Sequence, residues 1–323
     1  MPEFPHIPNA SEILENRKKI APYIHHTPVL SSSQINAKTG AFCYFKTENF
    51  QKVGAFKFRG AITALLQLTD EEKQRGVSTH SSGNHGQALA KAAQLLGIKA
   101  YVVMPDNSPG VKIAAVKQYG AEVTFCTPNL ESREATLQGI IAHTGAVEIH
   151  PYNNYSVILG QSSCAAELIE NQPQLDYIIA PIGGGGLMSG TLLSTHYFSP
   201  KTKVIGAEPL GANDAFQSLK EGKLIPQTNP NTIADGLLTS LGTKTFPIIQ
   251  QHIDQIITVD DREIKHAMQL IWERMKIIVE PSSATTLAAV LKQRELFRNK
   301  KIGLILTGGN VDFKKIPDWF SPA

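Results

Sequence analysis

The chain has 323 residues, 42% hydrophobic and 18% charged, enough for a sizeable core and, at ~100 to 200 residues per domain, for about two domains. Lys and Arg number 31 against 28 Asp and Glu, a formal charge of +3, and the cations are spread along the chain, which argues against nucleic-acid or membrane-surface binding through a basic patch. Cys43, Cys126 and Cys164 are far apart, with no CxxC pair; they argue against a disulfide framework or a zinc module and read as small buried residues in a reducing compartment.

The N-terminal MPEFPHIPNASEILENRKKI lacks the apolar run of a signal peptide, so a cytoplasmic protein is expected. The first segment with chemical promise is Glu48 to Gly60, in which Lys57 lies between Phe56 and Phe58 after a polar turn. A lysine flanked by aromatics can be held neutral enough to attack an aldehyde, although a solvated charge would look the same. Next, strand-like Val77-Ser78-Thr79-His80 runs into Ser81-Ser82-Gly83-Asn84-His85-Gly86, which opens a helix at Gln87 to Leu96. Small hydroxyl and amide side chains at a helix start suit a carboxylate, or simply cap the helix.

From here strand-like and helix-like segments alternate. Ala100 to Met104, Ala121 to Cys126, Asp176 to Ala180, Lys203 to Glu208 and Ile302 to Leu306 read as strands, and Gly110 to Gln118, Glu131 to His143 and Asp261 to Arg274 as helices. This βαβα rhythm predicts an α/β fold with parallel sheets. The unit from 76 to 153 has βα repeats of its own between polar segments, which predicts a small domain inserted into a larger one made of 1–75 and 154–323.

Tyr177 to Pro200 carries no charge and could be mistaken for a membrane span, but four glycines at 183 to 186 interrupt it. A strand, a Gly-rich turn and a helix explain it better. Four glycines before a helix let amides converge on an anion or phosphate, or simply let strand and helix pack closely. The run satisfies neither G-x-G-x-x-G nor a Walker A loop, so a single phosphate fits better than a dinucleotide, and a nicotinamide-dependent dehydrogenase is disfavoured. Farther on, Glu208 ends a strand and Asp214 follows six residues later; two such carboxylates could ligate a hard cation or face solvent in a loop. Finally Leu306-Thr307-Gly308-Gly309-Asn310 ends a strand at the edge where α/β sheets gather ligands.

In chain order, Phe50-Gln51-Lys52 to Lys57-Phe58-Arg59-Gly60, Ser81 to Gly86, the tetraglycine, Thr232-Ile233-Ala234-Asp235-Gly236, Trp272-Glu273-Arg274-Met275, Glu280-Pro281 and Gly308-Gly309-Asn310 resemble the fold-type II pyridoxal-phosphate enzymes, specifically the serine racemase and threonine (serine) dehydratase family. The resemblance spans nearly the whole chain. It implies a tryptophan synthase β-like fold, two open parallel-sheet domains with the cofactor between them, and a homodimer acting on a small amino-acid substrate. It further implies that Lys57 forms the internal aldimine, that Gly183, Gly184, Gly185, Gly186 and Leu187 hold the phosphate, that Phe56 lies on the ring, that Asn84 meets the ring hydroxyl and that Thr307 faces the pyridine nitrogen. Ser81, Ser82, Asn84 and His85 would bind the substrate carboxylate.

The resemblance implies that Ser82 is the second acid that inversion needs opposite Lys57, since serine racemases use the serine at this motif position, whereas many dehydratases resemble Ser-Ala-Gly-Asn-His there. Both α,β-elimination of L-serine and L-threonine and serine racemisation are therefore expected. By the same resemblance Glu208, the Ala212 carbonyl and Asp214 form a Mg²⁺ or Ca²⁺ site, and Lys52, Gln87, Tyr119, Lys276 and Asn310 stand where animal-type racemases bind ATP.

Three departures bear on these expectations. Leu159-Gly160-Gln161-Ser162-Ser163 replaces the family's Ala-Gly-Gln-Gly-Thr, Thr307 replaces the commoner Ser or Cys, and Tyr152 stands where animal racemases carry Asn. The chain ends soon after the last motif, so the isoleucine-sensitive regulatory domain of biosynthetic dehydratases is not expected. The alternatives are a β-replacement enzyme of the cysteine or cystathionine synthase type and, outside catalysis, an amino-acid-binding protein.

Overall fold

The computed structural model describes residues 6–81, 83–108 and 110–320. Along the chain its strands are β1 (Val29–Leu30), β2 (Phe42–Thr47), β3 (Val77–His80), β4 (Ala100–Pro105), β5 (Glu122–Cys126), β6 (Val147–Glu148), β7 (Tyr177–Pro181), β8 (Lys203–Pro209), β9 (Gln255–Val259) and β10 (Lys301–Leu306). They form a six-stranded sheet in the order β1-β2-β10-β7-β8-β9 and a four-stranded sheet in the order β5-β4-β3-β6. Every pairing is parallel except that of β1 with β2. Parallel neighbours need crossovers; the helices Asn84–Leu96 and Gly110–Gln118 supply two of them in the smaller sheet. The strands and helices expected from residue patterning fall within a residue of those observed, except that the helix expected from Gln87 begins at Asn84; β1, β2, β6, β9 and the helix Tyr155–Asn171 are among the elements that patterning does not reveal.

The larger sheet is buried on both faces. Ile179 of β7 and Leu304 of β10 join one apolar core, beneath the helices Asp261–Met275 and Pro281–Lys292, while Ile178 and Ile305 join the other, beneath Tyr155–Asn171 and Gly186–Phe198. Alternate residues of one strand thus feed opposite cores, and no polar alternation survives in the sequence. All three cysteines are free and buried, and no described helix is long and apolar enough to cross a membrane.

The helix Lys57–Leu66 ties the two sheets together. Its Phe58, Ala61, Ile62 and Leu65 sit in the core of the smaller sheet, burial worth roughly 1.5–3 kcal/mol for each large side chain. The segment leading into it is fixed to the larger sheet: Ala55 bridges Gly308, and the Phe56 N–H donates to the Thr307 carbonyl at 2.9 Å. The helix crosses Tyr155–Asn171 so closely that a Cβ at Gly160 would lie 2.4 Å from the Arg59 carbonyl oxygen, and one at Gly60 2.4 Å from Gln161 Nε2. Gly160 lies within the stretch that departs from the family pattern, and its hydrogen side chain is what permits the crossing.

Candidate active site

The registers bring the candidate residues together at the carboxyl ends of the strands. Leu306 pairs with Thr47, and Leu304 with Ile179, so Thr307 emerges beside the end of β2 and level with the residues preceding the tetraglycine. In the smaller sheet β3 ends at His80, directly before the Ser81–Gly86 loop, and β6 leads into His150-Pro151-Tyr152. This is the edge at which open α/β sheets bind ligands.

Lys57 lies where these edges meet. Its Nζ donates to the Pro151 carbonyl at 2.9 Å and sits 5.1 Å from the centre of the Phe56 ring. Burial pushes the amine down to about 8, against the pull of the Glu280 carboxylate, so a useful fraction is neutral and nucleophilic near physiological pH.

Beneath Lys57, Arg59 is completely buried and forked between two carboxylates. It meets Glu48 through Nε at 2.7 Å and Nη2 at 2.9 Å, and Glu167 through Nη1 at 2.7 Å and Nη2 at 2.8 Å; Lys46 completes the set at 2.6 Å from Glu167. Two cations and two carboxylates cancel, the condition under which buried charge is tolerable. Burial opposes the charge of Glu167, yet Arg59 and Lys46 hold its pKa below the ordinary value.

The glycine loop is shaped for a group without room for side chains. A Cβ at Gly184 would lie 2.3 Å from the Tyr152 ring, and one at Gly183 3.1 Å from Leu237 Cα. Gly185 has φ +87°, and its Cβ would fall 2.8 Å from Thr245 and from Ile249. Leu187 is buried in the first turn of the following helix, whose leading amides have no intrahelical acceptor. Tyr152 therefore packs against the glycine loop. Burial raises its phenol to about 12, although a hydrogen bond with Thr239 opposes this.

On the facing side, the Ser81 hydroxyl accepts from the Gly83 N–H at 3.2 Å. Ser82 lies outside the described residues. Asn84 donates through Nδ2 to both oxygens of Glu280 at 2.9 and 3.1 Å and accepts from Asn310 Nδ2 at 2.8 Å. His85 departs from its expected role as a carboxylate ligand. Its ring is buried and Nε2 donates to the Ile149 carbonyl at 3.0 Å, while burial, then the Lys57 charge, push its pKa to about 3. A neutral ring with Nε2 protonated leaves Nδ1 a lone-pair acceptor, unable to donate to a carboxylate; only the main chain of His85 remains for that task.

Thr307 is buried, and its hydroxyl lies 3.0 Å from that of Ser283. Glu280 closes this side. It starts the helix Pro281–Lys292, its N–H donates to Gly308 O at 2.9 Å, and burial, then Asp235, raise its carboxyl to about 7. Neither Glu280 nor Arg59 carries a local chemical signal in the sequence. Their signal is position inside the matching motifs Lys57-Phe58-Arg59-Gly60 and Glu280-Pro281.

The remaining candidates are those for a metal ion and for ATP, of which Asn310 touches this cluster at Asn84. Glu208 and Asp214 are buried; Glu208 accepts from the N–H groups of Ala215 and Phe216 at 2.8 and 2.9 Å, and Asp214 from that of Leu241 at 3.0 Å. Burial raises Glu208 to about 8 and Asp214 to about 6. Two buried acids with raised pKa values suit a hard cation, but no group of three or more His, Cys, Asp or Glu side chains surrounds a common point among the described residues. An ion there would take its further ligands from other oxygen donors, such as the Ala212 carbonyl or water. Of the five expected ATP residues, Asn310 bridges Asn84 and the Val53 carbonyl, Gln87 is buried, Lys52 lies over the Phe58 ring, Lys91 covers Tyr119, and Lys276 is exposed at φ +60°. No hydrogen bond joins these five to one another among the described residues.

The profile of the family described as "Pyridoxal-phosphate dependent enzyme" matches residues 20–308. The chain is 51% identical to a serine racemase of Dictyostelium discoideum, over 94% of this chain and 95% of that protein. It is 47% identical to a β-hydroxyaspartate dehydratase of Paracoccus denitrificans, over 97% and 99%. The solved structure of a threonine deaminase from T.th. superposes with a TM-score of 0.90 at 39% identity, covering 95% of this chain and 99% of that one.

Proposed function

The chain belongs to the pyridoxal-phosphate dependent enzyme family, and from that premise we propose that it deaminates L-serine and L-threonine by α,β-elimination to a 2-oxo acid and ammonia, and also racemises serine. The observation that carries this reading is Lys57: a buried amine with lowered pKa bonded to Pro151, which adjoins the Tyr152 packed on the glycine loop, preceded by Phe56 on the Thr307 carbonyl, and acted on by the Glu280 that Asn84 holds. The names of the relatives support the substrate class.

Bound pyridoxal phosphate supplies an electron sink at the amino-acid Cα. Lys57 would anchor it, Gly183 to Gly186 and Leu187 would receive its phosphate, Phe56 would cover its ring, Asn84 would meet its ring hydroxyl, and Thr307 would face its pyridine nitrogen. Thr307 and Ser283 offer neutral hydroxyls there, which would support a protonated ring less than a carboxylate would and so would favour loss of a β-hydroxyl over reprotonation. Lys57 Nζ removes the α-proton from one side, and the Ser82 hydroxyl serves as acid and base on the other. Ser81, Ser82, Asn84 and the main chain at His85 hold the substrate carboxylate.

Assaying L-serine, D-serine and L-threonine side by side for 2-oxo acid and for stereoinversion tests this reading. Lys57→Ala should lose both activities and the visible absorption of bound cofactor. Ser82→Ala should suppress D-serine formation while keeping much L-serine deamination. Activity that requires added sulfide would favour β-replacement instead, and a chain that neither absorbs nor turns over after cofactor addition would be an amino-acid-binding protein.

A second reading, of substrate range, rests on Arg133. Its Nε is buried without a hydrogen-bond partner among the described residues, and its charge adds to burial in lowering the pKa of His80 at the end of β3. A cation there suits a substrate with a β-carboxylate, such as 3-hydroxyaspartate. Arg133→Met should lose that substrate and keep serine.

The same reading includes a Mg²⁺ or Ca²⁺ ion at Glu208, Ala212 and Asp214, ATP as an effector through Lys52, Gln87, Tyr119, Lys276 and Asn310, a cytoplasmic homodimer, and a lobe of 76–153 set into one of 1–75 and 154–323. An unchanged rate with Mg-ATP would remove the effector, and sedimentation as a monomer would remove the dimer.

A further inference from the structure

The helices Gly186–Phe198 and Thr245–His252 pack side by side and run the same way from the glycine loop. At their near ends the Thr245 hydroxyl donates to the Gly184 carbonyl at 2.9 Å, and Gly185 leaves no room for a Cβ against Thr245 and Ile249. At their far ends, in the last turn of each, the rings of His196 and His252 stand 4.7 Å apart between centres and are tilted by 47°. At about 1.5 Å per residue, the chain from Gly185 to His196 puts this pair roughly 16 Å from the loop. His196 is exposed and His252 half-buried. Neither ring is held by a hydrogen bond or an ion pair among the described residues, and their aromatic neighbours are each other and Tyr197.

The spacing, the protonation and the position of the pair all suit a metal ion. A metal bound to a ring nitrogen at about 2.0–2.1 Å lies roughly 3.2 Å from the ring centre, so two imidazoles on one ion, at a right angle to a tetrahedral one, have centres about 4.5–5.2 Å apart. The observed 4.7 Å falls in that range. Burial, then the charge of His196, lower the pKa of His252, and a neutral imidazole offers the lone pair that a metal needs. Both helices also end here, where their carbonyl ends favour positive charge.

We propose that His196 and His252 form a two-histidine site for a borderline transition-metal cation of the Zn²⁺ class, which pins the far ends of the two helices whose first turns wall the glycine loop. No third His, Cys, Asp or Glu side chain completes a ligand set among the described residues, so water fills the remaining positions and the ion exchanges with solvent. Imidazole nitrogen selects Zn²⁺, Ni²⁺ or Cu²⁺, whereas oxygen donors such as those of Glu208, Ala212 and Asp214 suit Mg²⁺ or Ca²⁺. The two sites are therefore chemically distinct.

This site is independent of which amino acid is turned over, because its test is binding. Tag-free holoenzyme, dialysed free of excess cofactor, is titrated with ZnCl₂ by calorimetry in saturating MgCl₂, which competes at the carboxylates. The parent should take up Zn²⁺ in one saturable step. His196→Gln and His252→Gln should each weaken that step at least about tenfold, with metal-free melting temperatures unchanged, and Glu208→Gln should bind Zn²⁺ like the parent. Zn²⁺ should raise the melting temperature of the parent and of Glu208→Gln, and leave both histidine variants where they were. A Zn²⁺ step that survives both histidine substitutions, that is lost in Glu208→Gln instead, or that is absent from the parent would overturn the site.

Discussion

The Asn84 side-chain amide spans the cleft to Glu280, donating to both carboxylate oxygens at 2.9 and 3.1 Å. Because Glu280 is buried and its carboxyl is raised to about 7 from 4.5, the folded cofactor-free chain binds more protons than the unfolded chain between those values. Its stability should therefore fall as pH rises from about 4.5 through 7, by at most roughly 3 kcal/mol from this group. Glu280→Gln should flatten that part of the curve in urea melts of the cofactor-free protein at pH 5, 6, 7 and 8; an unchanged slope would show that Glu280 is already ionised.

Lys57 yields a kinetic prediction. With its pKa near 8, only about a tenth of the amine is neutral at pH 7. The rate of cofactor capture, followed by absorbance after mixing, should climb through pH 8 and level off above it. Glu280→Gln, by removing the carboxylate that favours the charged amine, should move that profile to lower pH.

Arg59 should be far less replaceable than its distance from substrate suggests. Arg59→Met leaves Glu48 and Glu167 facing one remaining cation, Lys46, in a buried site, and should cost about 3–5 kcal/mol. Arg59→Lys keeps the charge but not the fork, and should lose less stability. Thermal melts check both, and cofactor affinity measured on the milder variant reports how firmly the quartet places Lys57.

At the glycine loop, Gly185→Ala faces a positive φ as well as Thr245 and Ile249 at 2.8 Å. It should cost about 1–3 kcal/mol and weaken pyridoxal phosphate binding. Gly184→Ala meets the Tyr152 ring first, so pairing it with Tyr152→Asn should recover cofactor affinity where Tyr152→Asn paired with Gly185→Ala does not. Equilibrium titration with the cofactor distinguishes the two.

Glu208 and Asp214, raised to about 8 and about 6 from 4.5 and 3.8, should make the metal-free chain less stable as pH rises, since the folded state holds their protons longer. Added Mg²⁺ should raise the melting temperature more at pH 8 than at pH 5.5, because only the ionised acids ligate it. Glu208→Gln should abolish that response, and a chelator should reproduce it; a metal effect independent of pH would exclude these acids.

Residue types in chain order determined much of this protein. The βαβα rhythm, the glycine run after a buried strand and the lysine between phenylalanines are local signals, because backbone freedom, strand propensity and side-chain chemistry act within a few residues. The helix Tyr155–Asn171 escaped this reading because it is buried nearly all round, which erases the amphipathic period, and β1 and β6, of two residues each, are too short to show one. Tertiary structure alone decided that His85 turns its ring to Ile149, that Arg59 meets Glu48 and Glu167, and that Lys112 reaches Asp235. These are encounters between segments 64 to 123 residues apart, apart from the local Glu48 contact. Charge and hydrogen-bond partnership over such distances depend on which strands lie side by side, and sheet order is set by packing of the whole chain.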